Sequence, residues 1–332
     1  MITSIAGFSI CATIIFFAGK RLSYYGDLLA DMTGMGKAFM GLILMSAVTS
    51  LPELMVGISS VTIVRNADLA VGDILGSCAF NLGILSIMDM FTSKKNPILS
   101  SVSQSHILAG ALGMLLMALV GLGLFLDTDI ILTPSLGITS LSFAGIYFLA
   151  VKILHNYQQA NPVSEEAMHD HPPTLSLRAV IMRYAGFALI IIAAALTLPY
   201  FADHIAEATG LGKSFVGTLF LAISTSLPEI AVSLAAIRIG ATDMAVGNLL
   251  GSNIFNIFIL FLDDLFYTSG HLLKDASEAN LSSVFFVVMM AAVAIIGLLF
   301  PAREKKWILG IDTLVIFLLY LINILVLYHL TA

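Results

Sequence analysis

The chain has 332 residues, of which 59% are hydrophobic and only 11% charged, with a formal net charge of −6. A soluble globular domain carries roughly 25% charged residues, so the composition excludes a soluble fold and places the chain in a lipid bilayer. No nucleic-acid partner is expected, and oligomeric state is not legible from composition.

A hydrocarbon core about 30 Å thick is crossed by roughly 20 apolar residues in helical form. Apolar runs between charged or Pro/Gly breaks predict ten spans, near 3–19, 38–63, 67–91, 104–125, 129–152, 178–201, 213–238, 242–266, 281–300 and 307–330. The stretch from Met1 to Phe17 lacks a basic leading segment and its positive flank, Lys20 and Arg21, follows it, so it reads as a first span rather than a cleaved signal. With the N-terminus outside, twelve of the fifteen basic residues fall at cytoplasmic span ends and only Arg65, Lys213 and Lys274 remain outside. Cationic loops resist translocation, which orients the chain with both termini outside an inner membrane of prokaryotic type.

Cys11 and Cys78 both lie in apolar segments and read as packing residues rather than a disulfide framework. The longest polar stretch, 153–177, separates a first five-span unit, 1–152, from a second, 178–332, and reads as a cytoplasmic linker. Within it His169, Asp170 and His171 have metal-ligand chemistry, although a solvated His-rich loop is the commoner meaning of such a tract.

The sequence repeats itself. GKAFMGLILMSAVTSLPELMV, Gly36 to Val56, reappears as GKSFVGTLFLAISTSLPEIAV, Gly212 to Val232. DLAVGDILGSCAFN, Asp68 to Asn81, reappears as DMAVGNLLGSNIFN, Asp243 to Asn256, after a one-residue slip in the intervening turn. Spans two and three thus recur as spans seven and eight. Five spans, an odd number, separate the copies, so the copies cross the membrane in opposite senses. The predicted fold is therefore an all-α membrane protein of ten transmembrane helices arranged as two inverted five-helix repeats. Transporters use inverted repeats to place a site near the midplane and expose it alternately to each side.

The polar residues inside the repeats carry the chemistry. Glu53 and Glu229 lie within apolar spans, where a carboxylate costs roughly 2.5 kcal/mol or more and normally faces a cavity, a partner or an ion. Pro52 and Pro228 precede them; each removes a backbone N–H and clashes one turn earlier, which breaks the helix beside Thr49 or Thr225 and frees carbonyl oxygens. In the following spans Ser77 and Asn81, and likewise Ser252 and Asn256, lie four residues apart on one helix face. Gly72 with Gly76, and Gly247 with Gly251, form small-residue pairs that let helices approach closely. Carboxylates, hydroxyls, amides and loosened carbonyls, without thiolate or imidazole, make a site for a hard cation such as Ca2+ or Na+. The charge of two carboxylates matches one Ca2+ or two Na+. Taken singly, each feature also fits a kink, a back-bonded Ser or a packing Asn; their recurrence as a paired set argues for a site.

At these residues the sequence resembles the cation/calcium exchanger superfamily, whose two alpha-repeats carry TSLPE-like and GNxxGSNxxN-like motifs. The resemblance implies a Na+/Ca2+ antiporter of the sodium/calcium exchanger type, without cofactor, in which the first and sixth spans slide across the remaining bundle. Carried over by motif position, it implies a cation site formed by Thr49, Ser50, Glu53, Ser77 and Asn81 with Thr225, Ser226, Glu229, Ser252 and Asn256. Three positions depart from the pattern. Asp73 stands where the second repeat has Asn248, Cys78 where it has Asn253, and Asn256 where some relatives, potassium-dependent members among them, have Asp. Asp73 either caps its helix near the span entry or joins the ion site through the stripe it shares with Ser77 and Asn81.

Rival functions remain in view. Two close buried carboxylates titrate as a coupled pair, so a Ca2+/H+ or other cation/proton antiporter uses the same residues. An intramembrane metalloenzyme needs clustered His or Cys, whereas all seven histidines fall in loops or near span ends. A passive channel needs a continuous polar pore rather than two sealed inverted halves.

Overall fold

The computed structural model describes residues 2–126, 131–133, 136–160, 175–208 and 223–331. Among these, nine helices are long and apolar enough to cross a membrane. They are α1 (Ile2–Thr33), α2 (Lys37–Val64), α3 (Ala67–Met90), α4 (Ser105–Phe125), α5 (Ile138–Ala160), α6 (Leu177–Ala208), α8 (Thr242–Phe266), α9 (Asn280–Leu299) and α10 (Ile311–Thr331). The expected seventh span is described from 223 onward and contains α7 (Leu227–Arg238). Residues 131–133 and 136–137 form a short antiparallel pair ahead of α5. The His169–His171 tract lies outside the described residues.

Burial separates the helices by role. The apolar windows of α3 and α8 are 83% and 78% buried, against 22% for α1 and 17% for α10. The two repeat helices carrying the GSxxFN pattern therefore form the centre, and they pack against each other there. Helices α1 and α6, 32 residues each, pair along their length, and α1 also lies across α7. At about 1.5 Å per residue each is longer than the hydrocarbon core is thick. Helix α1 thus continues well past the expected boundary at residue 19: Lys20 and Arg21 end the apolar run but are good helix formers. Beyond them Lys37 pairs with Asp27 at 2.6 Å, holding the α1–α2 corner. Helix α5 runs to Ala160, so the first residues of the expected linker are helical.

The inverted repeat is visible in backbone detail. The turn from α2 to α3 passes through Arg65 at φ 56°, and the turn from α7 to α8 passes through Gly240 at φ 81°, the matching position of the second repeat. Glycine adopts this left-handed region without cost. Asn66 then caps α3 by accepting from the Leu69 N–H at 3.1 Å. Asp68 accepts from the Ser277 N–H and, at 3.3 Å, from Asn280 Nδ2. Its counterpart Asp243 accepts from the Ser103 N–H at 2.6 Å and faces His106 Nε2 at 3.0 Å. Each repeat's third helix is thereby tied to the opposite repeat. The approach of Gly247 and Gly251 to α2 is as close as their spacing predicts, since a Cβ on either would strike the Ala38 or Leu42 carbonyl.

Candidate cation site

Helix α2 is interrupted at Ser50 (φ −90°, ψ 8°) and resumes at Leu51 with Pro52 in its first turn. Ser226 (φ −86°, ψ 8°) and Pro228 reproduce the arrangement in the second repeat. The break is tighter than the prolines alone suggest. The Ser50 N–H still reaches the Ser46 carbonyl at 3.0 Å, and the Leu54 N–H the Ser50 carbonyl at 3.2 Å. What Pro52 frees is the carbonyl four residues back, at Val48, because it has no N–H to give it. Wide π-type turns at Met40–Met45 and Ser60–Val64 flank the interruption; such turns are frequent at functional sites.

The interruptions carry both carboxylates to the centre, and all ten expected site residues are buried there. The contacts cross between repeats. Ser50 Oγ donates to Glu229 Oε1 at 3.2 Å, and Ser226 Oγ donates to Glu53 Oε1 at 3.2 Å. Ser77 Oγ lies 3.5 Å from both Glu53 Oε1 and Ser226 Oγ. Thr49 Oγ1 lies 3.4 Å from Ser252 Oγ and donates to Asn248 Oδ1 at 3.2 Å. Asn81 Nδ2 donates to Asn253 Oδ1 at 3.1 Å, and Asn253 Nδ2 to the Cys78 carbonyl at 3.2 Å. The Cys78 carbonyl accepts only a donor, which fixes the Asn253 amide and, through it, the orientation of Asn81. Thr225 is buried beside Ser226.

Four oxygens are left over. Glu53 Oε2, Glu229 Oε2, Asn81 Oδ1 and Asn256 Oδ1 are buried without a hydrogen-bond partner among the described residues. They are two matched pairs, one member of each from each repeat. A buried unsatisfied acceptor costs roughly 1–3 kcal/mol, and more when charged, so four at one centre need compensation by a ligand that accepts lone pairs. The donor set is carboxylate, amide and hydroxyl oxygen only, which suits a hard cation.

Asp73 is not a helix cap, since Asn66 caps α3. It is buried, with Oδ2 lacking a hydrogen-bond partner among the described residues. Asn253 and Asn248 act as supports that motif reading named only as mirror positions. Asp263, fully buried with neither oxygen partnered among the described residues, went unremarked, although an Asp pair inside the apolar run FLDDLF was its signal. His106 lies at the start of α4 as expected but is buried against Asp243. Cys11 and Cys78 are free and buried.

Comparison with known proteins gives a consistent picture. The family model described as "Sodium/calcium exchanger protein" matches residues 3–154 and 179–326, one segment for each repeat. Inner membrane protein YrbG of Escherichia coli is 29% identical over 289 residues, covering 83% of this chain and 85% of that protein. Sodium/calcium exchanger MaX1 of Methanosarcina acetivorans is 34% identical over 152 residues, 43% of this chain and 40% of that one. A solved structure of the sodium-calcium exchanger NCX_Mj, soaked with Na+ and Sr2+, superposes with a TM-score of 0.75 at 18% identity over 98% of both chains.

Proposed function

The chain belongs to the sodium/calcium exchanger protein family, and from that premise we propose that it exchanges Ca2+ for Na+ by alternating access, with Glu53 and Glu229 binding the ions near the midplane of a prokaryotic inner membrane. It is a transporter and not an enzyme. The observation that carries the ion site is the set of four unpartnered oxygens, Glu53 Oε2, Glu229 Oε2, Asn81 Oδ1 and Asn256 Oδ1, drawn symmetrically from both repeats.

The two carboxylates together match the charge of one Ca2+ or two Na+, so the ions compete for one set of oxygens. Competition at a single site couples their fluxes. Thr49, Ser50 and Ser77, with Thr225, Ser226 and Ser252, supply hydroxyls that orient the carboxylates or enter the ion's shell. Because these contacts cross between the repeats, a rearrangement that favours one half's geometry alters the site seen from the other. Helices α1 and α6, stacked on each other outside the central pair, are the elements placed to slide against it.

Proton coupling is the second reading, favoured by the two further buried carboxylates Asp73 and Asp263. Reconstitution into liposomes with either an imposed Na+ gradient or an imposed pH gradient, followed by 45Ca2+ uptake, separates the two. Uptake driven by the Na+ gradient at equal pH supports exchange for Na+. Uptake driven only by the pH gradient overturns it in favour of exchange for H+.

A further inference from the structure

The two halves of the site are not equivalent on the way out to the two membrane faces. In the second repeat the position one turn beyond Glu229 is Ser233, and its hydroxyl accepts from Asn248 Nδ2 at 3.1 Å. This is a neutral, satisfied pair. In the first repeat the same two positions are Gly57 and Asp73. Gly57 has no side chain to offer, and the space a Cβ would occupy there is filled by the carboxylate of Asp263, both oxygens of which it would strike. The position in α3 that matches Asp263 is Met88. One side of the site thus carries a serine–asparagine pair where the other carries a glycine and an aspartate, and the aspartate seated over that glycine has a methionine as its counterpart.

The helical register places these aspartates beside each other. Glu53 and Ser77 meet at 3.5 Å. Gly57 lies four residues after Glu53 on α2, and Asp73 four residues before Ser77 on α3. The two helices are joined by a tight turn and run antiparallel, so both steps lead outward in the same direction, by about 6 Å at 1.5 Å per residue. Asp263, seated over Gly57, is at that level too, and Asp73 and Asp264 are the anionic groups acting on it. Asp264 is engaged elsewhere, its Oδ1 accepting from the Leu272 N–H at 2.8 Å. Asp263 is fully buried, and among the described residues neither of its oxygens nor Asp73 Oδ2 has a hydrogen-bond partner. Neither has an ion-pair partner among the described residues. Two buried carboxylates so placed are costly unless a bound cation or protons neutralise them.

Building on the midplane reading, we infer that Asp73 and Asp263 form a second, outlying subsite for a divalent hard cation, one helical turn from the Glu53/Glu229 centre toward the face carrying Arg65 and Tyr267. Its four carboxylate oxygens are half or more of a Ca2+ shell, the rest being completed by water. The subsite loads or releases the ion on that face only. On the opposite side the matching positions are Asn248 and Ser233, with Met88 as the counterpart of Asp263, so the paired carboxylates have no equivalent among the described residues.

The test uses equilibrium binding of 45Ca2+ to the purified full-length protein, with gel filtration to verify that each variant is folded. The double variant Glu53→Gln/Glu229→Gln is expected to lose the tighter class of binding and keep a weaker one. Adding Asp263→Asn, or Asp73→Asn if the former does not fold, is expected to weaken that remaining class at least about tenfold, equivalent to about 1.4 kcal/mol. No residual binding in the double variant, or residual binding that neither aspartate change alters, overturns the subsite. Wild type and double variant binding alike would instead sink the midplane reading, while the aspartate changes still decide the subsite. In vesicles of the two orientations, Asp73→Asn is further expected to raise half-saturating Ca2+ severalfold from the Arg65 face alone. An equal rise at both faces would overturn the assignment.

Discussion

Ser50 and Glu229 belong to different repeats, yet Ser50 Oγ donates to Glu229 Oε1 at 3.2 Å, and Ser226 returns the same bond to Glu53. Each carboxylate is therefore oriented by the other half of the molecule. Glu53→Gln or Glu229→Gln removes one of the two charges that would neutralise the ion, and either change should abolish 45Ca2+ uptake in a protein that remains folded. Near-wild-type uptake by a folded variant would remove that glutamate from the site.

Ser50→Ala and Ser226→Ala should act more mildly. Each strips one donor from a buried carboxylate, a loss of about 1–3 kcal/mol, so half-saturating Ca2+ should rise roughly tenfold while the maximal rate survives. The mirror geometry requires the two variants to behave alike. A large effect from one and none from the other would show that the serine pair does not act reciprocally.

Much of this was legible in the sequence, because the costliest residues were also the repeated ones. Two TSLPE motifs inside apolar helices announced Glu53 and Glu229, and the odd number of intervening spans announced the inversion. The cross-repeat bonds were not legible, since no spacing rule links Ser50 to Glu229; only the packing of two interrupted helices brings them within reach. Asp73 misled for a different reason. An Asp near a helix start is commonly a cap, and only the presence of Asn66 as the actual cap leaves it to point inward. Lys305 counted toward the cytoplasmic charge excess, yet its ammonium is buried with Asp89 at 3.1 Å. Composition cannot distinguish a solvated lysine from a sequestered one.

That pair predicts a structural effect distinct from transport. Asp89 also accepts from the Ile98 N–H at 2.9 Å, the Gly310 N–H at 2.7 Å and Thr313 Oγ1 at 2.8 Å, pinning the ends of α3 and α10 together. Lys305→Met leaves this buried carboxylate without its counter-charge, a loss of about 3–5 kcal/mol. The variant should show a clearly lower thermal unfolding temperature in detergent. Half-saturating Ca2+, measured below that temperature, should stay unchanged, because neither residue belongs to the ten proposed to hold the ion. A shift in half-saturation without loss of stability would tie Lys305 to the ion path instead.

Orientation is tested by labelling. A cysteine introduced at Lys274 should react with an impermeant reagent from outside, and one at Lys94 should not, because cationic segments stay on the cytoplasmic side. Lys94 is exposed, so failure to label would reflect sidedness and not burial. The reverse pattern would invert the protein and place the 153–177 linker outside.

The motion implied for α1 and α6 is open to a direct block. Helix α1 crosses α7 at Gly19, where an added Cβ would lie 3.3 Å from the Cβ of Ala231, and Ser23 Oγ one turn on donates to the Val232 carbonyl at 2.8 Å. A disulfide needs Cβ atoms about 3.5–4.5 Å apart, so Gly19→Cys with Ala231→Cys requires an adjustment of only a few tenths of an ångström. The native cysteines do not interfere, since Cys11 and Cys78 are both buried and free. If α1 slides over α7 during each cycle, oxidation should stop 45Ca2+ uptake and a reductant should restore it, while equilibrium Ca2+ binding by the oxidised protein persists. Uptake that continues at the wild-type rate after verified crosslinking would show that this contact is static and that access switches elsewhere in the bundle.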